Sequence, residues 1–241
     1  MRVKATIAYN GTKYCGSQVQ DNQTTVNGTL LEVLRSMGIE TKLDASGRTD
    51  RGVHATGQVV HFDVPQFWSD KTRLLEILGY KLPSSLHVKK LEFVDDHFHS
   101  RFSAKRRVYR YILKAGESNP FMNEFVTFIP NIDLESLQES IKLFMGTHDF
   151  SGFYRTGGGS KTTTRTIFKT MAYKHKEFVV LYFEASGFLR SQIRLMVAML
   201  LGINSGKYSL DDLKNQLTCK QKIAIKPAPS NGLYLAKIHY L

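Results

Sequence analysis

Cysteine is scarce in this chain. Its 241 residues include two, Cys15 and Cys219, too few for a disulfide framework and without companions at metal-ligand spacing. Long apolar runs are missing as well. The most apolar stretch, residues 195–203, is far too short to span a bilayer. The opening Met1-Arg2-Val3-Lys4-Ala5-Thr6-Ile7 has no apolar core of the signal-peptide kind and reads as a strand. These absences lead to the expectation of a cytoplasmic protein with no membrane partner. Acidic residues are in short supply too. There are 21 Asp and Glu against 33 Lys and Arg, a formal net charge of +12. An excess of that size favours a polyanionic partner. What remains is ordinary for a globular protein, with 42% hydrophobic and 22% charged residues. A chain of this length buries a real core, as one large domain or two small ones.

Apolar alternation and turn residues set the order of elements. Residues 2–9 alternate through Val3, Ala5, Ile7 and Tyr9 and read as a half-buried strand. A polar loop follows, and Thr25 then caps a helix with Val26, Leu30, Val33, Leu34 and Met37 on one face and Gly38 at its end. Strands are expected at 41–45 and 55–64, a second helix around residues 74–78 closed by Gly79 and the break at Pro83, and a strand at 86–94. Strand, helix, strand, strand, helix, strand is the ferredoxin-like pattern. The second half carries a similar order, with strands at 103–113, 165–173, 178–185 and 233–240. Asp133 caps one helix there, and the most apolar helix covers 189–203. The fold class expected is therefore α+β. Two ferredoxin-like or RNP-like βαββαβ halves, residues 1–100 and 101–241, form a largely antiparallel mixed sheet with helices on one face and an active-site cleft between the halves. Residues 156–164, rich in Gly and Thr, read as a mobile loop.

Three stretches could carry chemistry. The first is Ser46-Gly47-Arg48-Thr49-Asp50-Arg51-Gly52-Val53-His54-Ala55, where a single carboxylate, Asp50, stands between two arginines and two glycines, with His54 close by. Nearby guanidinium groups favour the ionised carboxylate, and the same spacing also suits a plain salt bridge in a turn. The second is residues 101–111, where Arg101, Arg107 and Arg110 interleave with Phe102, Tyr109 and Tyr111. Cations there meet phosphates and rings stack on bases, unless the strand simply buries its tyrosines. In the third, Arg190 and Arg194 are four apart and would share one face of an otherwise apolar helix. Two further signals carry less. Gly159-Ser160-Lys161-Thr162 lacks the earlier glycine of a phosphate-binding loop and leaves Lys161 as a basic contact for RNA. Asp95-Asp96-His97-Phe98-His99 has no further ligands at a recognised spacing, so no metal is expected.

The first stretch closely resembles the signature loop of the tRNA pseudouridine synthase A family. Similar matches run along the whole chain in order. They are Tyr9-Asn10-Gly11 with Tyr14, Gly16, Gln18 and Gln20, then Phe98-His99-Ser100-Arg101-Phe102-Ser103-Ala104, and then Arg107-Val108-Tyr109-Arg110-Tyr111. His148-Asp149-Phe150-Ser151-Gly152-Phe153 follows, with Phe188-Leu189, Gln192-Ile193-Arg194, Ala228-Pro229 and Gly232-Leu233-Tyr234-Leu235. The resemblance implies that Asp50 is the catalytic aspartate and that Arg48 helps to open the RNA stem. It implies that Tyr109 is the active-site tyrosine and that Arg194 pairs with the aspartate. The remaining basic candidates for RNA are Arg51, His54, Arg101, Arg107, Arg110, Arg190 and Lys161. The reaction implied is isomerisation of uridines at positions 38, 39 and 40 of the tRNA anticodon stem-loop, with no cofactor or metal, by a homodimer. The chain departs from the family pattern at Arg190 and Ser191, where an aromatic or histidine pair is expected, and over residues 157–164.

Two other readings compete with an isomerase. A non-catalytic RNA-binding or RNA-folding protein on the same fold would tolerate Asp50→Ala and lose binding on substitution of Arg107 or Arg110. A hydrolase of the N-glycosidic bond would release free uracil.

Overall fold

The structure, a computed structural model, describes residues 1–157, 159 and 161–240. Two residues of the expected mobile loop, Gly158 and Ser160, lie outside the described residues. The elements run β1 (Arg2–Tyr9), α1 (Val26–Ser36), β2 (Asp44–Ala45), β3 (His54–Asp63), α2 (Lys71–Lys81), β4 (Leu86–Val94) and β5 (Arg106–Ala115). They continue with β6 (Thr127–Ile129), α3 (Leu134–Lys142), β7 (Gly146–Asp149), β8 (Thr164–His175), β9 (Phe178–Ala185), α4 (Gln192–Asn204), α5 (Leu210–Leu217) and β10 (Leu233–His239). The class is α+β, with mostly antiparallel strand pairing. Among the described residues no helix is long and apolar enough to cross a membrane.

The chain divides into two compact units, one of residues 1–105 with 234–241 and one of residues 106–233. In the first, β1 is flanked by β3 and β4, both antiparallel to it, and β2 adds antiparallel to β3. β10 joins β3 in parallel, pairing Tyr234 with His54 and Leu235 with Ala55. Alternation along β1 decides its two faces: Val3, Ala5, Ile7 and Tyr9 are buried, whereas Arg2, Lys4, Thr6 and Ala8 are half-buried. Register carries that distinction to the neighbours, so Val59 and His61 of β3 and Lys90 and Glu92 of β4 share the open face with Lys4 and Thr6. The packed face meets an apolar layer in which Leu30, Leu34, Leu74 and Leu78 are fully buried. Each such leucine stabilises by about 1.5–3 kcal/mol.

Caps define the helices. The Thr25 hydroxyl accepts the Gly28 N–H at 3.2 Å to start α1, and Gly38, with φ +74°, follows its end. Asp70 caps α2 by accepting from Thr72 and Arg73. Gly79 does not close α2. That helix runs on to Lys81, because a glycine inside a helix weakens it without breaking it, and Pro83 supplies the stop.

In the second unit β9 lies between β5 and β8, and β7 adds to β8, all antiparallel, while β6 runs parallel to β5. Asp133 caps α3, which packs on β8 and α4. α5 opens with a capping box between Ser209 and Asp212. This unit is richer than the expected repeat, since β6, β7 and α5 are additional.

Candidate active site

Asp50 sits in the loop between β2 and β3, a loop whose backbone is held by its neighbours. Burial along the loop separates two sets of residues. Ser46, Thr49, Gly52 and Val53 are buried, Arg48 and Arg51 are exposed, and Asp50 is half-buried. Ser46, Thr49 and Val53 are each hydrogen-bonded. The Ser46 hydroxyl donates to Oε1 of Gln58 at 2.7 Å, and Nε2 of Gln58 donates to the Gly47 carbonyl at 2.7 Å. The Thr49 and Tyr9 hydroxyls lie 2.8 Å apart in a buried hydrogen bond. The Thr49 N–H donates to the Ser17 hydroxyl at 2.9 Å, and the Ser17 N–H donates back to the Thr49 carbonyl at 3.1 Å. The turn then closes with Val53 N–H donating to the Asp50 carbonyl at 3.1 Å, Gly52 taking φ +78°. Burial pushes the Tyr9 hydroxyl up to about 12, so it stays a neutral donor at any working pH. The residues on either side of Arg48, the second of them directly before Asp50, are thus tied down, so the backbone that carries the carboxylate is held in one place.

The opening loop of the chain is the other half of this cradle. Gly16 has φ +97°, and a Cβ there would stand 3.0 Å from the Thr49 carbonyl. The N-terminus of α1 holds the same segment, since Val26 and Asn27 N–H groups donate to the Gly16 and Ser17 carbonyls at 3.2 and 3.0 Å. His54 lies beneath the loop, 1% exposed. Its Nδ1 accepts the Gly11 N–H at 3.1 Å, and its ring stacks on Tyr234 at 4.6 Å. The sequence reading missed Tyr9, Ser17 and Gln58 as supports. Gln58 carried a signal, being an amide in a segment otherwise patterned for burial with Val60 and Phe62.

The remaining basic candidates of the first unit are exposed. Arg48 and Arg51 make no ion pair among the described residues, and the Arg101 guanidinium lies 5.8 Å from the Phe102 ring centre. In the second unit Tyr109 is buried on β5, edge-on to Phe188 at 5.3 Å. Arg107 donates to the Ser186 carbonyl at 2.7 Å, and Arg110 is exposed opposite Tyr182. Arg194 is clamped to the Ala228-Pro229 segment, its Nε donating to the Ala228 carbonyl at 2.7 Å while its own carbonyl accepts the Ala228 N–H at 2.9 Å. Lys161 is exposed.

One geometric expectation fails. Arg190 and Arg194 do not share a helix face, because α4 begins at Gln192. Ser191 stands before it in the left-handed region, φ +59°, and Oε1 of Gln192 takes up the Leu189 N–H at 2.8 Å. That side-chain bond turns the chain before the helix starts. Arg190 instead faces the preceding loop, donating to the Thr156 carbonyl at 3.0 Å and accepting the Arg155 N–H at 3.2 Å. A non-glycine residue at positive φ is strain of the kind found at functional turns.

Asp44, His61 and His99 bring three potential ligand atoms within 4.8 Å of one another. Nδ1 of His61 accepts the Ser100 N–H at 3.2 Å, and Nδ1 of His99 accepts the Arg101 N–H at 3.2 Å. Both rings are thus engaged by the neighbouring backbone on their Nδ1 side, and His61 Nδ1 also lies 3.0 Å from the Ser100 hydroxyl.

Comparison with known proteins agrees with the loop. A family model described as tRNA pseudouridine synthase matches residues 5–103 and 140–241. The tRNA pseudouridine synthase A of Wolinella succinogenes is 41% identical over 236 residues, covering 98% of this chain and 93% of that one. The protein of the same name from Campylobacter jejuni strain RM1221 is 39% identical over 240 residues, the full length of both. A chain in the crystal structure of a Cbf5-Nop10-Gar1 complex is similar at a TM-score of 0.33 and 10% identity, covering 83% of this chain and 44% of that one. With a fixed Asp50 loop, collinear motifs from first strand to last and relatives matching over the full length, the chain belongs to the tRNA pseudouridine synthase family of isomerases.

Proposed function

We propose that this enzyme converts uridines 38, 39 and 40 of the tRNA anticodon stem-loop to pseudouridine, with Asp50 as the catalytic carboxylate. The observation that carries the reading is the Asp50 loop, tied down at Ser46, Gly47 and Thr49 with Arg48 exposed and Asp50 half-buried between them and the turn. The reaction is an isomerisation, so its atoms balance within the substrate. The N1–C1′ bond breaks, the base turns, and C5 bonds to C1′. The proton lost from C5 is matched by one gained at N1. Electron deficiency develops at the ribose as the base leaves, and a carboxylate stabilises it either by attack or by removing a ribose proton, as carboxylates do in glycoside hydrolysis. Tyr109 serves as stacking partner or relay for the C5 proton, and Arg194 as the cation for the carboxylate, in the order the family resemblance gives them. Arg48 takes the space of the extruded base, whose departure costs a few kcal/mol of stacking. Exposed Arg51, Arg101, Arg110 and Lys161 suit backbone phosphates.

Tritium release from C5-tritiated uridine in unmodified tRNA tests this. Wild type is expected to release tritium and Asp50→Ala to release none above background. Equal release by both would remove Asp50 from the chemistry, and free uracil among the products would replace isomerisation by hydrolysis. The family resemblance also supports a homodimer that braces one tRNA across two copies. An obligate monomer with full activity would end that part of the reading.

A further inference from the structure

We propose that the open face of the first unit's sheet carries a separate pocket for an RNA backbone phosphate, in the crevice where β3 and β10 part. The proposal rests on the tRNA-modifying reading and adds to it a site away from Asp50. β10 is paired with β3 at Tyr234 and Leu235 and then diverges. Beyond that point a cavity of about 310 Å³ opens, lined by Lys4, Thr6, Thr56, Lys89, Lys237 and Tyr240 over a floor of Gly57, Val59, Ala236 and Ile238. A Cβ on Gly57 would meet the Ala236 carbonyl, so a side chain there would push the strands apart at the mouth of the crevice.

Three lysines and two threonines therefore line one small space, and no carboxylate residue lines it. Two of the lysines are held in place. Lys4 lies 4.9 Å from the Tyr240 ring centre and pairs with Glu92 at 3.3 Å, while Lys89 donates to the Thr56 carbonyl at 3.0 Å. An ammonium has three protons, so each keeps donors for a ligand after those bonds. Lys237 is exposed, and its side chain makes no hydrogen bond or ion pair among the described residues. The nearby acid is Glu92, and it is shared by Lys4 and by Lys90 at 2.8 Å. The balance around the pocket stays positive. Such a set of point charges and hydroxyls fits a tetrahedral oxyanion rather than a planar base or an apolar group. RNA is the source favoured here. The chain carries +12 overall, and the pocket lies along the same strand that starts at the Asp50 loop, roughly 10 Å from His54 at about 3.3 Å per residue. A stem that placed a uridine at Asp50 would pass backbone phosphates within that distance.

The test uses the full chain with unmodified tRNA and three variants, Lys237→Gln, Lys89→Gln and Lys237→Arg, with the affinity for tRNA followed from 50 to 200 mM KCl. Each glutamine variant is expected to weaken binding about threefold at the lower salt and to reduce the slope of log K against log[salt] by roughly 0.7–0.9, the value of one phosphate contact. Lys237→Arg is expected to keep the wild-type slope, and kcat to stay unchanged in all three. Wild-type affinity and slope in both glutamine variants would overturn the proposal. So would protection of Lys237 from acylation by inorganic phosphate but not by tRNA, which would make the pocket a free-anion site. Binding does not depend on turnover. A wild type that binds tRNA but releases no tritium fails as an isomerase without touching the pocket, and Asp50-dependent release with unaltered lysine variants does the reverse.

Discussion

Thr49 accepts or donates through its hydroxyl, its N–H and its carbonyl at once, to Tyr9 and Ser17, and Asp50 follows it directly in the chain. Removing the Tyr9 hydroxyl leaves the ring in place and strands a buried threonine hydroxyl, a loss of about 1–3 kcal/mol for an unsatisfied polar group. Tyr9→Phe is therefore expected to lower Tm by a few degrees. With Asp50 in the role proposed above, it is also expected to reduce kcat about tenfold while KM for tRNA is kept, because a carboxylate displaced by a fraction of an ångström loses its reacting geometry before tRNA binding is lost. A matching loss of folded protein at the assay temperature, read by circular dichroism, would point to general unfolding instead. His61 provides a second prediction at this scale. Its burial, followed by the charges of His99 and Arg2, lowers its pKa below the ordinary 6.5, against an opposing pull from Asp44 and Asp63. A histidine held neutral in the fold binds fewer protons than the same histidine unfolded. Stability is thus full above pH 6.5 and is lost as the pH falls below it. Urea midpoints at pH 7.5 and 5.5 should show that fall in wild type and a shallower one in His61→Asn.

At the scale of elements, α1 does more than pack. Its first N–H groups hold Gly16 and Ser17, which hold Thr49, so a helix cap is linked to the candidate catalytic loop. Thr25→Ala is expected to cost about 1 kcal/mol of stability and to lower kcat as well. The corresponding cap variant Ser209→Ala, on α5, is expected to cost a similar amount with kcat unchanged. Caps were the most legible feature of the sequence. Thr25 and Asp133 announce α1 and α3 because a short side-chain acceptor before an apolar-periodic segment has few other uses. Gly79 misled for the opposite reason: a glycine's flexibility permits a helix end but does not require one. The start of α4 was hidden in a single side-chain bond, Gln192 to Leu189, which has no periodicity to betray it. The Asp50 loop stood out by composition, yet of its supports only Gln58 left a mark, since Tyr9 is brought beneath it by strand pairing and Ser17 by the segment that α1 holds.

For the whole molecule, charge and chain order matter more than any one contact. A net +12 predicts that tRNA affinity falls linearly in log–log form with salt, steeply enough to be seen between 50 and 200 mM KCl. A flat response would leave the basic surface without a role in binding. The order of the chain has a different consequence. The strand that completes the first unit is β10, and it follows the entire second unit in sequence. Tyr234, which stacks on His54 under the Asp50 loop, belongs to it. As the chain leaves the ribosome, residues 1–105 emerge with β3 still lacking its parallel neighbour, and they stay so until the second unit has been made. The candidate catalytic loop is written early and finished last, so a nascent chain has no finished cradle for Asp50 until residues 234–239 are out.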